Sequence, residues 1–349
     1  MKISLIICTR NRAPQLEKCL EAVGRAERFG GPVEIVIVDN GSTDHTASVI
    51  ERFTKTSQSS VKNVFTARPG LGHARNCGIR ASTGELLVFT DDDCYVEEAY
   101  FAKLAACIHP KMFQYGMGQI LLYDQTDDER VANQKIDHFV LLKPQIPVLQ
   151  TGRIQGANMF YMRKVFDIAG VFDEDLGAGT PFACEDIEMA CRASHHGFTG
   201  ALLPDFTVYH HHGRKRCSPE AKRTVDSYDH GSGAYYATLL ARGQYHVWTY
   251  WQCTFHDQLK ESKSHALSRL SKELRGAADY IDFLLQKETN GASGTLNRWD
   301  CDKPHRAQHN VLETMCSPAD KPNLAPAKVR AIKLYNRLVF KLRSVVRLV

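Results

Sequence analysis

The chain has 349 residues, 43% of them hydrophobic and 24% charged, with a formal net charge of +5. That balance excludes a disordered chain, and 24 glycines and 13 prolines without a period exclude collagen-like and low-complexity classes. Seven Lys/Arg and no acid fall within residues 326–349, which leaves the rest of the chain at −2; the basic excess belongs to a tail, not to a nucleic-acid-binding body.

Residues 3–8 (ISLIIC) form a β-branched apolar run of the length of a buried strand. A helix follows over 14–23, with Leu16, Leu20 and Val23 on one face and Pro14 in its first turn. Residues 34–38 (EIVIV) read as a second strand, ended by Asp39-Asn40-Gly41-Ser42. Ser42 or Thr43 is placed to cap the next helix, which runs to about 53. A short strand at 64–66, a helix over 72–81 and a strand over 85–90 follow, the last stopped by Asp91-Asp92-Asp93. This β-α-β-α order predicts an α/β fold with a mostly parallel central sheet flanked by helices, binding its ligand beyond the carboxyl ends of the strands.

Further on, 115–122 reads as a strand, 124–135 as polar surface and 156–162 as a strand leading into a helix at Arg163. Glu185-Asp186 opens an amphipathic helix to about 194, and 206–209 is a last strand, ending at His210-His211-His212. Beyond 215 the composition turns helical, with a loop at 289–305. Trp248, Trp251, Tyr245 and Tyr250 cluster in this part and suit core packing.

The eleven cysteines are widely spaced and contain no Cys-x-x-Cys pair, which predicts free thiols in a reducing compartment. The first apolar run of six residues is too short for a signal core. No run approaches the ~20 residues that span a bilayer. A cytoplasmic location is predicted.

Three polar clusters follow three strands: Thr9-Arg10-Asn11-Arg12, Asp39 to Asp44, and Asp91-Asp92-Asp93. Taken alone, Asp39-Asn40-Gly41-Ser42 is ordinary turn chemistry. Three adjacent carboxylates are different, because a divalent cation relieves their mutual repulsion. Asp91 and Asp93 share one side of an extended chain and suit a hard ion such as Mg²⁺ or Mn²⁺. Three successive histidines on a strand point alternately, so they cannot all reach one ion. Glu185 and Asp186 would also be stable at a helix start on dipole grounds alone.

The ordered set ISLIICTRNR (3–12), EIVIVDNGSTD (34–44), GLGHARNCGIRASTGELLVFTDDD (70–93), GANMFYMRKVFDIAGVFDEDLGAGTPFACEDIEM (156–189) and VYHHH (208–212) resembles family 2 glycosyltransferases of the GT-A fold. The resemblance spans roughly residues 1–215 and implies a nucleotide-sugar-binding catalytic domain there, with 216–349 as a helical C-terminal extension. It places Thr9, Arg10, Asn11, Asp39 and Arg75 at the nucleotide. Asp91 and Asp93 match the family's DxD, one or both of whose carboxylates reach the ribose and the ion at the diphosphate; Asp92 between them is also placed among the cofactor-binding residues, and Asn158 near the transferred sugar. Asp91, Asp93 and His210 would hold Mn²⁺ or Mg²⁺, with His212 on the same face as a substitute.

Asp186, flanked by Glu185, would act as general base on an acceptor hydroxyl. Asp173, Glu174 and Asp175 compete for that role but lie in a Gly-rich loop suited to shaping the acceptor side. The implied activity is inverting, metal-dependent transfer of a sugar from a nucleotide-sugar donor, by default a UDP-sugar, to a glycan or lipid-linked acceptor. No covalent-nucleophile signature suggests retention.

In 326–349, Ile332, Tyr335, Val339, Leu342, Val346 and Val349 recur at helical spacing opposite Arg330, Lys333, Arg337 and Lys341. Such a basic amphipathic helix either lies on an anionic membrane surface or docks on the domain. Two other readings are weaker. A nucleotidyltransferase needs a Gly-rich loop after strand one, and Thr9-Arg10-Asn11-Arg12 has no glycine. A non-catalytic membrane-surface binding protein has no need of intact Asp91/Asp93 and Glu185/Asp186 pairs.

Overall fold

A computed structural model of the protein describes residues 1–26 and 31–289; the basic segment 326–349 lies outside the described residues. The first half alternates strand and helix: β1 (Ile3–Thr9), α1 (Ala13–Ala26), β2 (Val33–Asp39), α2 (Thr46–Thr56), β3 (Ser60–Phe65), α3 (Leu71–Ala81) and β4 (Leu86–Asp91). β2 is buried along its whole length and β1 along all but one residue, as apolar runs covered on both faces must be. The second half adds β5 (Cys94–Val96), α4 (Tyr100–Cys107), β6 (Tyr115–Leu122), β7 (Val140–Leu142), β8 (Met159–Met162), α5 (Arg163–Ala169), α6 (Glu185–His195) and β9 (Gly200–His210).

The strands form a single sheet in the order β3-β2-β1-β4-β8-β6-β9-β5, with β7 paired on β9. Pairing is parallel over β3-β2-β1-β4 and between β6 and β9, and antiparallel elsewhere. The chain winds outward from β1 to β3, then returns to β4 on the other side of β1. That reversal is a topological switch point at the carboxyl ends of β1 and β4, the place where ligands bind in open α/β sheets. The register sets Thr9 beside Asp39 and Cys8 beside Asp91, so three polar strand ends share one edge.

At the opposite edge, Glu34 is fully buried. It accepts from Ser4 Oγ at 2.6 Å, Thr83 Oγ1 at 2.9 Å and the Gly84 amide at 3.2 Å, and pairs with Lys2 and Lys62.

The described part of the C-terminal extension is helical: α7 (Pro219–Ala241), α8 (His246–Glu261) and α9 (Lys263–Thr289). Ser218 Oγ accepts from the Ala221 amide at 3.1 Å and Pro219 takes the first turn, a standard helix start. α7 and α9 cross backbone to backbone. A Cβ on Gly233 would stand 1.7 Å from the Glu273 carbonyl oxygen, and one on Gly276 1.8 Å from that of His230, so only glycine fits. Trp248 and Trp251 are buried in this layer, while Tyr245 is exposed. No helix among the described residues is long and apolar enough to cross a membrane.

Several local expectations change. α2 starts at Thr46 with His45 in the cap position, so neither Ser42 nor Thr43 caps it; Asp44 Oδ1 accepts from the Thr46 amide at 3.0 Å instead. β9 begins at Gly200 and absorbs the predicted 206–209 strand. Residues 156–158 form a 3₁₀ turn ahead of β8. The polar stretch 124–135 is not simply surface: Asp127, Asp128 and Val131 are buried. Lys215 Nζ bonds Asp127 Oδ1 at 2.8 Å and the Gly213 amide bonds Oδ2 at 3.0 Å, stitching this stretch to the chain after β9.

Candidate active site

The loop after β1 is laced to the loop after β2. Asn11, in a left-handed conformation at φ 53°, accepts from the Thr43 amide at 2.7 Å, and its own amide donates to Ser42 Oγ at 2.9 Å. Asp39, 5% exposed, accepts from the Ser42 amide at 2.8 Å through Oδ1, leaving Oδ2 to accept from a ligand. Arg10 is exposed on the same loop.

The acidic triplet splits. Asp91, with a side chain 34% exposed, faces Arg75, whose Nη2 stands 3.5 Å from Asp91 Oδ1. Burial raises the Asp91 carboxyl against the pull of Arg75. Asp92 turns inward: Oδ2 accepts from Thr9 Oγ1 at 2.7 Å and Oδ1 lies 2.9 Å from Arg12 Nε. Burial first, then the charge of Asp93, pushes its carboxyl up to about 7. Asp92 and Thr9 thus brace each other at the strand ends, the edge where the nucleotide was expected.

Asp93 accepts from Arg12 Nη2 at 2.6 Å and sits 3.3 Å from His210 Nε2. Burial acts to raise its carboxyl, but His210 and Arg12 prevail and hold it at about 2, ionised. Arg12 is the residue that sequence reasoning passed over. Its signal was present in the Thr9–Arg12 loop, where a second cation follows Arg10.

His210 and His212 have opposite tautomers. His210 Nδ1 is 3.1 Å from the Ala132 carbonyl oxygen, which only accepts, so Nδ1 carries a proton; Nε2, 3.3 Å from Asp93 Oδ1, donates to that carboxylate when the ring is protonated and has a lone pair for a metal ion when it is neutral. Burial would lower the His210 pKa, but the bond and charge of Asp93 raise it, so proton and metal ion compete for one position. His212 Nδ1 instead accepts from the Arg214 amide at 3.0 Å, so Nε2 holds the proton and is no ligand as it stands.

Among the described residues, the grouping of three metal-ligating side chains is Asp93, Cys94 and His210, with ligand atoms within 4.8 Å. Burial keeps the Cys94 thiol protonated. The remaining carboxylate and imidazole suit a hard to borderline divalent ion such as Mn²⁺ or Mg²⁺. Asp91, expected to share that ion with Asp93, is outside the group and nearer Arg75.

Arg75 is 3% exposed, with its guanidinium 5.5 Å over the Phe172 ring. Its Nη1 makes a close ion pair with Glu185 Oε1 while Nη2 faces Asp91. Burial would weaken its charge, but Glu185 and Asp91 hold it firmly cationic. The acidic triplet and the Glu-Asp pair at the start of α6 therefore meet at one side chain. Asp186 Oδ2 accepts from the Gly156 amide at 2.9 Å, and its pKa is raised to about 7 by burial first and the Glu185 charge second.

Asn158 is corrected. It is fully buried, accepting from Tyr100 OH at 2.7 Å and donating to the Gln119 carbonyl oxygen at 2.8 Å. It is a core strut, not a sugar contact. Asp173, Glu174 and Asp175 are likewise engaged: Asp173 pairs with Arg242, Glu174 bonds Asn76 and His73, and Asp175 pairs with Lys287.

Residues 4–168 match the family described as Glycosyl transferase family 2. Residues 4–168 belong to this family. Among its relatives, the uncharacterized glycosyltransferase EpsJ of Bacillus subtilis (strain 168) is 29% identical over 188 residues, 50% of this chain and 52% of EpsJ. Glycosyltransferase AglE of Haloferax volcanii is 25% identical over 212 residues, 60% of this chain and 66% of AglE. The chain thus spans about half to two thirds of the length of these curated relatives. Among solved structures, mannosyltransferase PcManGT from Pyrobaculum calidifontis, in complex with GDP-Man and Mn²⁺, aligns at a TM-score of 0.48 and 20% identity, covering 85% of this chain and 77% of that one.

Proposed function

We propose that this chain is a glycosyltransferase that moves a sugar from a nucleotide-sugar donor to a hydroxyl of a glycan or lipid-linked acceptor, with inversion. The observation that carries the reading is Arg75, buried between Asp91 and Glu185. It supports one reaction centre running from the switch-point edge of the sheet to the start of α6. In this reading residues 1–215 form the catalytic unit and 216–349 an extension of it.

The free Oδ2 of Asp39 accepts a base N–H, with uridine the default, and the exposed Arg10 stands on the loop after β1 beside it. Asp93 and His210 would hold Mn²⁺ or Mg²⁺, with Asp91 beside them. A divalent ion there supplies neutralisation of the charge that develops on a departing diphosphate. Asp186, its proton affinity raised toward neutrality and its carboxylate oriented by the Gly156 amide, takes the acceptor proton as the new bond forms. Glu185 pairs with Arg75 and fixes that guanidinium between the two halves of the site.

The test is a panel of UDP- and GDP-sugars incubated with the protein and Mn²⁺, reading nucleotide release before and after EDTA, with mass analysis of any transfer product. Metal-dependent release that stops on chelation is expected. Absence of both nucleotide binding and release overturns the proposal.

A further inference from the structure

The segment that delivers Glu185 and Asp186 is strained. Cys184, immediately before α6, has φ 84°, a left-handed conformation unfavourable for a non-glycine residue that persists only where the surroundings enforce it. Contacts from the C-terminal helices fall on both sides of it. Arg242, which caps α7, makes a close ion pair with Glu188 on the first turn of α6, and its Nη2 donates to Asp173 Oδ2 at 2.9 Å. Lys287, in the last turn of α9, donates to Asp175 Oδ2 at 2.7 Å. Glu188 and Arg242 are almost wholly buried, whereas the Lys287–Asp175 pair is one-quarter to one-third exposed.

We propose that Arg242 and Lys287 are positioning residues for the acceptor half of the site. Gripping residues 173–175 from two different helices, they hold the strained approach to α6 so that Asp186 faces the reacting hydroxyl. The inference rests on the proposed role of Asp186 and extends it: the C-terminal helices set the geometry of the base while leaving the nucleotide edge untouched. No ion pair among the described residues joins α7 or α9 directly to the loops after β1 and β2; the gripped loop meets that edge through Glu174, which pairs with Arg68 at 2.5 Å, and the variants leave that pair in place, so the two halves of the site should separate in experiment.

The experiment compares the full chain with Arg242→Gln, Lys287→Glu and the charge swap Asp175→Lys/Lys287→Glu. Three readouts are taken: calorimetric binding of UDP and GDP with Mn²⁺, hydrolysis of the sugar nucleotide that the unmodified chain turns over fastest, and amide hydrogen exchange. In both single variants exchange across 176–184 should rise about tenfold while that of 39–44 stays unchanged. Hydrolysis should fall about tenfold for Lys287→Glu and up to ~100-fold for Arg242→Gln, the scale of an ångström-sized misplacement. Nucleotide affinity should stay within about twofold, and the swap should restore both exchange and turnover.

Unchanged exchange and turnover in Lys287→Glu, a fall in nucleotide affinity parallel to the loss of turnover, or a swap that fails to restore either readout overturns the proposal. If Arg242→Gln does not fold, the Lys287 variant and the swap decide. If the unmodified chain binds neither nucleotide, the proposed function fails instead, and the exchange measurement still judges the clamp.

Discussion

Asp91 and Glu185, ninety-four positions apart in sequence, share one buried cation: Arg75 places Nη2 3.5 Å from the first and Nη1 against the second. Removing it strands a carboxylate in a dry setting at the start of α6 and frees another at the end of β4. Breaking a buried pair by deleting one partner costs ~3–5 kcal/mol, and substitution by a hydrophobe leaves that full penalty. Arg75→Met should therefore lower unfolding stability by that order in urea titrations and abolish turnover. Arg75→Lys keeps the charge but cannot reach two carboxylates with one nitrogen, and should fall between the two.

Asp186→Asn should reduce turnover by ~10²–10⁴-fold, the usual contribution of a general base, with nucleotide affinity nearly unchanged. Because the Asp186 pKa is raised to about 7, turnover of the unmodified chain should climb with pH through that region, where the base loses its proton. A rate already at its plateau at about pH 5 would remove Asp186 from the role.

The opposite tautomers of His210 and His212 predict unequal metal phenotypes. Alanine at 210 should weaken Mn²⁺ binding about tenfold or more, ~1.4 kcal/mol per factor of ten, as read by calorimetry or Mn²⁺ paramagnetic resonance. Alanine at 212 should leave Mn²⁺ affinity close to the starting value, because its Nε2 holds a proton in the folded chain.

Glu34 governs stability rather than reaction. Burial would raise its carboxyl, but the bonds from Ser4 and Thr83 and the nearby lysines press its pKa far below the unfolded value of about 4.3. Its contribution is thus complete above that unfolded value and drains away as pH falls toward the folded one. Glu34→Gln should cost ~1–3 kcal/mol at neutral pH and flatten the acid limb of a stability–pH curve from urea melts. An unaltered acid limb would mean that other carboxylates carry it.

The parallel half of the fold was legible because strands buried on both faces are continuous apolar runs, and each run ended in a polar cluster at the same edge. The order β8-β6-β9-β5 was not, since antiparallel partners are chosen by contacts far apart in sequence. Asn158 shows the same limit at a single residue: its role is set by Tyr100, 58 positions away, which no local pattern registers. Asp127 looked like surface because its neighbours are polar, yet Lys215 reaches it from 88 positions downstream. The candidate site was readable as a set of residue types. Which carboxylate meets which cation was not, because Arg12 and Arg75 divide the triplet by three-dimensional packing alone.

The crossing of α7 and α9 has a mechanical meaning. Where two backbones touch through glycine at Gly233 and Gly276, no side chain separates them, so neither helix has room to slide or roll against the other without a clash. Arg242 at the end of α7 and Lys287 near the end of α9 therefore meet Asp173 and Asp175 from one interlocked pair of helices, not from two independent ones.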